Sequence, residues 1–297
     1  MKSYLHTASL IIDDIEDESE TRRGEKAAHI VYGVPRALNA GNYVYFLALE
    51  KLLLLQSTTC VEVFTAEMLN LHRGQGRDIY WRTVCHIASE DEYCGMVIDK
   101  TGGLFRLAIR IMQLLSPDIE KKLSKFNVDT DDDSTINSRK AASSSFLMES
   151  EQSDFTVLAN NLACYFQIRD DLINLASPKF HVKKGFCEDI TEGKFSFIAL
   201  HSLRTLGKSN RGEKKQKLLV ILNSKTMDRA LIKEALNLMN ETGSFEYTVS
   251  YLRNLESAIY KSIQDLGGNE TLVKLVKTIS QEVDDCHDVK ARVIDVA

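Results

Sequence analysis

The chain has 297 residues, 44% of them hydrophobic and 27% charged, enough apolar material for a sizeable core. Its formal net charge of -5 gives no support for a nucleic-acid partner, so an anionic ligand has to be held by a local cation cluster or through metal ions. Only 3 prolines and 15 glycines interrupt the sequence, which argues against a sandwich of short strands and leaves room for long helices.

Leu5, Ala8, Leu10, Ile11, Ile12 and Ile15 open the chain with a helical apolar pattern. Arg36 to Gln56 contains a nearly all-apolar, proline-free stretch whose length predicts a buried helix. Val61 to His72 and Glu90 to Leu115 read as further helices, with Glu67, Asn70 and Arg73 as the polar side of the first. Gly74-Gln75-Gly76-Arg77-Asp78 predicts a polar break after it, with a possible ligand role for Gln75 or Asp78.

From Asn127 to Asp154 the chain turns polar and acidic, through Asp-Thr-Asp-Asp-Asp-Ser and Ala-Ala-Ser-Ser-Ser. Too little apolar area is available there to offset ordering entropy, which predicts a surface insertion within one domain spanning 1–297. Helices are then expected over Phe155–Leu175, Phe195–Leu206, Lys214–Asn223, Asp228–Asn240, Phe245–Leu266 and Glu270–Asp285, with Gly267-Gly268 ending one of them. No alternating strand pattern is present. The expected class is all-α, a bundle of about eight to ten helices.

The six cysteines form no Cys-x-x-Cys pair and read as reduced thiols of an intracellular protein. No signal peptide, membrane-length apolar run or C-terminal prenylation box is seen, so a soluble cytoplasmic protein is expected.

Two acidic motifs carry the chemistry. In Asp13-Asp14-Ile15-Glu16-Asp17, Asp13 and Asp17 are four apart and project from one helix face, offering hard oxygens to Mg²⁺. Gln167-Ile168-Arg169-Asp170-Asp171-Leu172-Ile173-Asn174 is a second acidic pair, set among apolar residues; buried carboxylates need a partner, and a shared metal cluster supplies one. Cations stand beside both: Arg22 and Arg23 after the first, Lys100 before Thr101-Gly102-Gly103, then Lys184 and Lys194 after the second. Singly, each reads as a solvated charge. Together with the acidic pairs they suit a polyphosphate, arginine by bidentate grip and lysine as a mobile point charge.

In this order, DDIED, RRG, GQGRD, KTGG, FQIRDD and EGKFSF resemble the trans-isoprenyl diphosphate synthases, and the longer strings SLIIDDIEDESETRRG, GQGRDIYWR, FQIRDDLINLAS and FCEDITEGKFSF are most similar to the animal and fungal geranylgeranyl diphosphate synthases. The resemblance runs to about Val276. It implies an isoprenoid synthase-type helical bundle around a central cavity, three Mg²⁺ ions, two diphosphate substrates and a homo-oligomer. Carried over by position, Asp13 and Asp17 hold two metals and Asp170 the third, with Asp14 and Asp171 in support. Arg22, Lys100, Thr101, Gln167, Lys184 and Lys194 contact the allylic diphosphate; His6 and Arg23 contact isopentenyl diphosphate. Ala8 and Ser9, one turn before Asp13, are small, and the resemblance implies that bulky residues there shorten the product; about four isoprene units are expected to fit.

Family members also carry helices ahead of the first motif with a Gly-Lys-x-x-Arg element for isopentenyl diphosphate; 12 residues precede Asp13 here and include neither cation. Three functions follow as alternatives: an active synthase, a noncatalytic subunit regulating one, or a terpene cyclase. The cyclase would need Ser and Glu four and eight positions after Asn174, where Pro178 and Val182 stand.

Overall fold

The computed structural model describes residues 2–116, 154–177, 187–208, 211–284 and 286. The polar insertion expected at 127–154 therefore lies outside them save for its last position, as does Lys184. Among the described residues the chain is helical apart from one small hairpin, in agreement with the all-α expectation. Thirteen helices are present there: α1 (Lys2–Glu16), α2 (Ala28–Tyr32), α3 (Val34–Leu53), α4 (Thr58–Val84), α5 (Glu90–Lys100), α6 (Gly102–Leu114), α7 (Asp154–Ala176), α8 (Glu188–Thr191), α9 (Phe197–Lys208), α10 (Gly212–Asn223), α11 (Arg229–Glu241), α12 (Ser244–Asp265) and α13 (Glu270–Asp284). The excess over eight to ten comes largely from short pieces such as α2 and α8, too brief to leave a periodic signal.

Two apolar clusters hold the bundle. One, including Tyr165, Ile168, Phe197, Leu203 and Leu252, joins α5, α7 and α9 to α13. The other, including Leu5, Leu52, Val63 and Leu107, joins α1, α3, α4 and α6. No helix among the described residues is long and apolar enough to cross a membrane.

Three local expectations are corrected. The break at Gly74–Asp78 does not occur, because α4 runs unbroken from Thr58 to Val84. Gly74 is instead a crossing point: a Cβ there would come within 2.3 Å of the Lys100 backbone nitrogen, so only glycine lets α4 approach the end of α5. The apolar helix α3 is not buried all round. It packs Ala37, Gly41, Ala48 and Leu52 inward, yet Tyr43 and Phe46 are 62% and 70% exposed. Length selected the helix, but composition says nothing of what covers its outer face. Glu67, expected on the polar side of its helix, is buried at 2% exposure. It accepts from Arg106 Nη2 at 2.7 Å and Arg110 Nη1 at 2.9 Å, both on α6.

The hairpin was not anticipated. β1 (Thr21–Arg22) pairs antiparallel with β2 (Glu25–Lys26) across Arg23-Gly24. Both turn residues have positive φ (57° and 82°), as a type I′ turn requires, and Gly24 takes that conformation without strain. The turn folds Arg22 back over the end of α1.

Candidate active site

A cavity of about 570 Å³, a size typical of small-molecule sites, is walled by α1, α4, α5, α6, α7 and the segment from α8 to Ser196. The last turn of α1 delivers the first acidic motif to it, with Asp13 and Glu16 on its wall. Lys100, at the C-terminus of α5, bridges Asp78 Oδ2 at 2.8 Å and Asp13 Oδ1 at 3.3 Å. Asp17 lies deeper, its carboxylate fully buried between Arg82 Nη2 at 2.8 Å and Lys194 Nζ at 2.9 Å. Lys194 also pairs with Glu192 Oε2 at 2.5 Å.

Burial works against ionisation of Asp17, but Lys194, Lys100 and Arg82 outweigh it and hold its carboxyl far below the usual range. Burial likewise disfavours charge on Lys100, and Asp78, Asp13 and Asp17 reverse that, raising its ammonium above the ordinary lysine value. These groups stay charged at neutral pH only because they share one cluster.

Asp14 faces away from the cavity wall and anchors Arg22. The guanidinium donates through Nε at 2.7 Å and through Nη2 to Asp14 Oδ1, and Nη2 stands 3.5 Å from Asp13. Asp14 thus acts through the arginine it aims.

In the second motif both aspartates line the cavity, but one is half-exposed and the other buried. Asp170 is on the cavity wall with 46% of its side chain exposed, beside Arg169 Nη1 at 3.1 Å. Asp171 is 5% exposed and accepts from Tyr93 Oη at 2.5 Å, the Phe197 backbone N–H at 2.8 Å and Gln167 Nε2 at 3.0 Å. Burial pushes its carboxyl up to about 6 in spite of those donors. Gln167 in turn accepts from the Thr101 hydroxyl at 3.3 Å, so one buried carboxylate sets the orientation of both cavity-facing side chains. Asn174 Oδ1 accepts the Asp189 N–H at 3.1 Å, which ties α7 to the start of α8.

Of the residues expected from sequence, His6, Ser9, Asp13, Arg22, Arg23 and Lys100 are on the wall, as are Thr101, Gln167, Asp170, Asp171 and Lys194. Ala8 is not: it is fully buried, with its carbonyl close to Gly41 on α3. Lys184 lies outside the described residues. The structure adds Arg82, which sequence reasoning did not single out although it follows Asp78 by four positions on α4. Glu16 joins through Gln75 Nε2, which donates to its Oε2 at 2.6 Å. Tyr93 and Asp189 had no local signal, since a lone tyrosine or aspartate on a helix is ordinary.

The donor set suits magnesium. Among the described residues no three carboxylate, histidine or cysteine side chains converge to hold an ion by themselves. Mg²⁺ needs only one or two protein carboxylates and completes its shell with water and phosphate oxygens. Asp189 Oδ2 and Gln75 Oε1 are buried in the wall without a hydrogen-bond partner among the described residues, acceptors fit for the water shell of such an ion.

Known proteins resemble the chain in sequence and in fold. The chain is 42% identical over 275 residues to a geranylgeranyl pyrophosphate synthase of Dictyostelium discoideum, covering 93% of this chain and 78% of that protein. It is 41% identical over 275 residues to a terpene synthase of Matsumurasca onukii, with the same coverage. The crystal structure of geranylgeranyl pyrophosphate synthetase from Pyrococcus horikoshii Ot3 superposes with a TM-score of 0.69 at 23% identity, over 94% of this chain and 77% of that one, a likeness of fold. Residues 1–128 and 136–239 match the polyprenyl synthetase family. By that match, and by the identity it shares with these relatives, the chain belongs to the polyprenyl synthetase family.

Proposed function

We propose that this chain condenses isopentenyl diphosphate with an allylic diphosphate, farnesyl diphosphate in the first instance, to give geranylgeranyl diphosphate. Membership of the polyprenyl synthetase family makes it a prenyltransferase. One observation carries the finer reading: Asp13 and Asp170 reach one cavity from two helices, with Lys100, Lys194 and Arg22 beside them.

Asp13, Asp17 and Asp170 would hold the magnesium ions, three by the resemblance. When bound, magnesium neutralises charge on the leaving diphosphate. Asp17 would have to share its carboxylate between the ion and the lysine now against it. Lys100, Lys194 and Arg22 take up the diphosphate oxygens, and their charge favours the transition state, in which the allylic C–O bond breaks and negative charge gathers on the leaving group. Thr101 and Gln167, held by Asp171, orient that group. His6 of α1 and Arg23 of the hairpin turn, both on the cavity wall, serve isopentenyl diphosphate, whose double bond attacks the allylic cation before a proton is lost. No side-chain nucleophile is required. The exposed Tyr43 and Phe46 on α3 support an assembly of more than one copy.

The test is incubation with farnesyl diphosphate, labelled isopentenyl diphosphate and Mg²⁺. Label in a twenty-carbon diphosphate is expected. The Matsumurasca onukii relative gives the cyclase reading its one support, and hydrocarbon formed without isopentenyl diphosphate would decide for it. No turnover alone, but altered activity of an added synthase, would decide for a regulatory subunit.

Product length has its own test. Ser9 is on the wall and Ala8 is packed beneath it, so the two small residues act differently. Ser9→Phe is expected to shift product toward fifteen carbons when geranyl diphosphate is the primer. Ala8→Phe overpacks the α1–α3 contact and lowers stability by about 1–3 kcal/mol. An unchanged product profile for Ser9→Phe would remove it from the cavity floor.

A further inference from the structure

None of the six cysteines is in a disulfide, and two of them meet between α5 and α7, helices that both contribute to the cavity wall. Cys94 is half-buried on α5, and Cys164 is 5% exposed on α7. The Cys164 Sγ lies 3.9 Å from the Cys94 carbonyl oxygen, so the second thiol is packed against the backbone of the first. On its other side the Cys94 Sγ is 3.3 Å from the Tyr251 hydroxyl of α12. The sulfurs are thus held together by three helices, with Cys94 the more accessible.

Their chemistry is unequal. The hydrogen bond with Cys164 stabilises a thiolate at Cys94 against the cost of burial, Tyr251 adds to it, and the thiol comes down to about 7. Cys164 moves the other way, raised by the same contact and by burial. A thiolate in reach of a second thiol is the arrangement of a nucleophilic and a resolving cysteine. The position also matters. Cys94 follows Tyr93, and Cys164 lies one turn before Gln167, and both Tyr93 and Gln167 donate to Asp171.

We propose that Cys94 and Cys164 are a peroxide-sensitive dithiol that closes to a disulfide between α5 and α7. The Cys94 thiolate attacks the O–O bond of hydrogen peroxide, forming an S–O bond and releasing hydroxide, which is protonated to water. Cys164 sulfur then attacks the Cys94 sulfenic acid; the S–S bond forms, the S–O bond breaks, and the Cys164 proton leaves with the hydroxyl as a second water. Two electrons pass from the two thiols to the peroxide. Closing the bond draws the Cys94 sulfur off Tyr251 and strains the Tyr93 and Gln167 contacts to Asp171. Prenyl transfer, where the chain performs it, slows by roughly tenfold, the lower end of what is lost when groups orienting a site are disturbed.

The test treats the reduced full chain with hydrogen peroxide, blocks remaining thiols and maps peptides by mass spectrometry. A Cys94–Cys164 cross-linked peptide that dithiothreitol dissolves is expected, together with a loss of activity that the same reductant restores. Cys164→Ser should trap a dimedone-reactive sulfenic acid at Cys94, and Cys94→Ser should leave Cys164 unlabelled. Neither serine variant should change turnover before oxidation. Absence of the cross-link in the native chain, or dimedone labelling at Cys164 in Cys94→Ser, overturns the proposal. A chain that makes no prenyl product refutes the functional assignment instead, and the peptide map still decides the cysteine pair.

Discussion

Asp13→Asn is expected to lower kcat/KM by about 10²–10³-fold, the range for removing one charge-stabilising group from an active site. Asp13 faces the cavity, within 3.3 Å of Lys100 and 3.5 Å of Arg22. Asparagine keeps the shape and one oxygen but loses the anionic charge that a hard cation needs. Folding should be spared, because Lys100 retains Asp78 and Arg22 retains Asp14. Kinetics across a magnesium titration, with calorimetry of magnesium plus inorganic diphosphate as a second readout, check the result. Kinetics and metal affinity within threefold of the native chain would take Asp13 out of the metal set.

The largest effect on stability is expected at Glu67→Ala, a loss of about 3–5 kcal/mol. Glu67 holds two arginines that are themselves buried, Arg106 at 6% and Arg110 at 4% exposure. Without it Arg106 keeps the Ile98 carbonyl at 2.8 Å and Asn160 at 2.9 Å on Nη1, but Nε and Nη2, which donate to Glu67, lose their acceptor, and the charge loses its anion. Two guanidiniums would then stand inside α4, α6 and α7 with no anion on them among the described residues. Replacing all three residues by leucine and methionine should cost far less, since the penalty lies in the orphaned charges. Urea unfolding of the reduced chain measures both. A loss under about 1 kcal/mol for Glu67→Ala would mean that water or another anion reaches the arginines.

How much of the site could be read in advance depended on the range of the interaction. Asp13 and Asp17, or Asp170 and Asp171, are legible because helical spacing is a local property. The division of labour within each pair is not. Asp13 and Asp170 present their carboxylates to the cavity, while Asp14 is turned onto Arg22, and Asp171, although it too lines the cavity, is held by Tyr93, 78 positions away. Arg82 carries no local signal for the same reason: its partner Asp17 stands in the turn that follows α1, far from it in sequence. Glu67 was misjudged because a polar residue on an amphipathic helix normally faces water, and only the arrival of Arg106 from α6 makes its burial tolerable.

Helix content, the positions of most long helices, the two acidic motifs and the cations that follow them were set by the chain alone, through periodicity, scarce breakers and spacing. The tertiary structure decided the rest. It carried α4 straight through Gly74, left one flank of α3 bare, brought Lys100 and Lys194 onto Asp13 and Asp17, and laid Cys94 against Cys164. The physical reason is that local propensity is a matter of single residues and their near neighbours. The pairing of buried charges and the close approach of two backbones depend on which distant segment comes to lie alongside, and that is settled only when the helices pack.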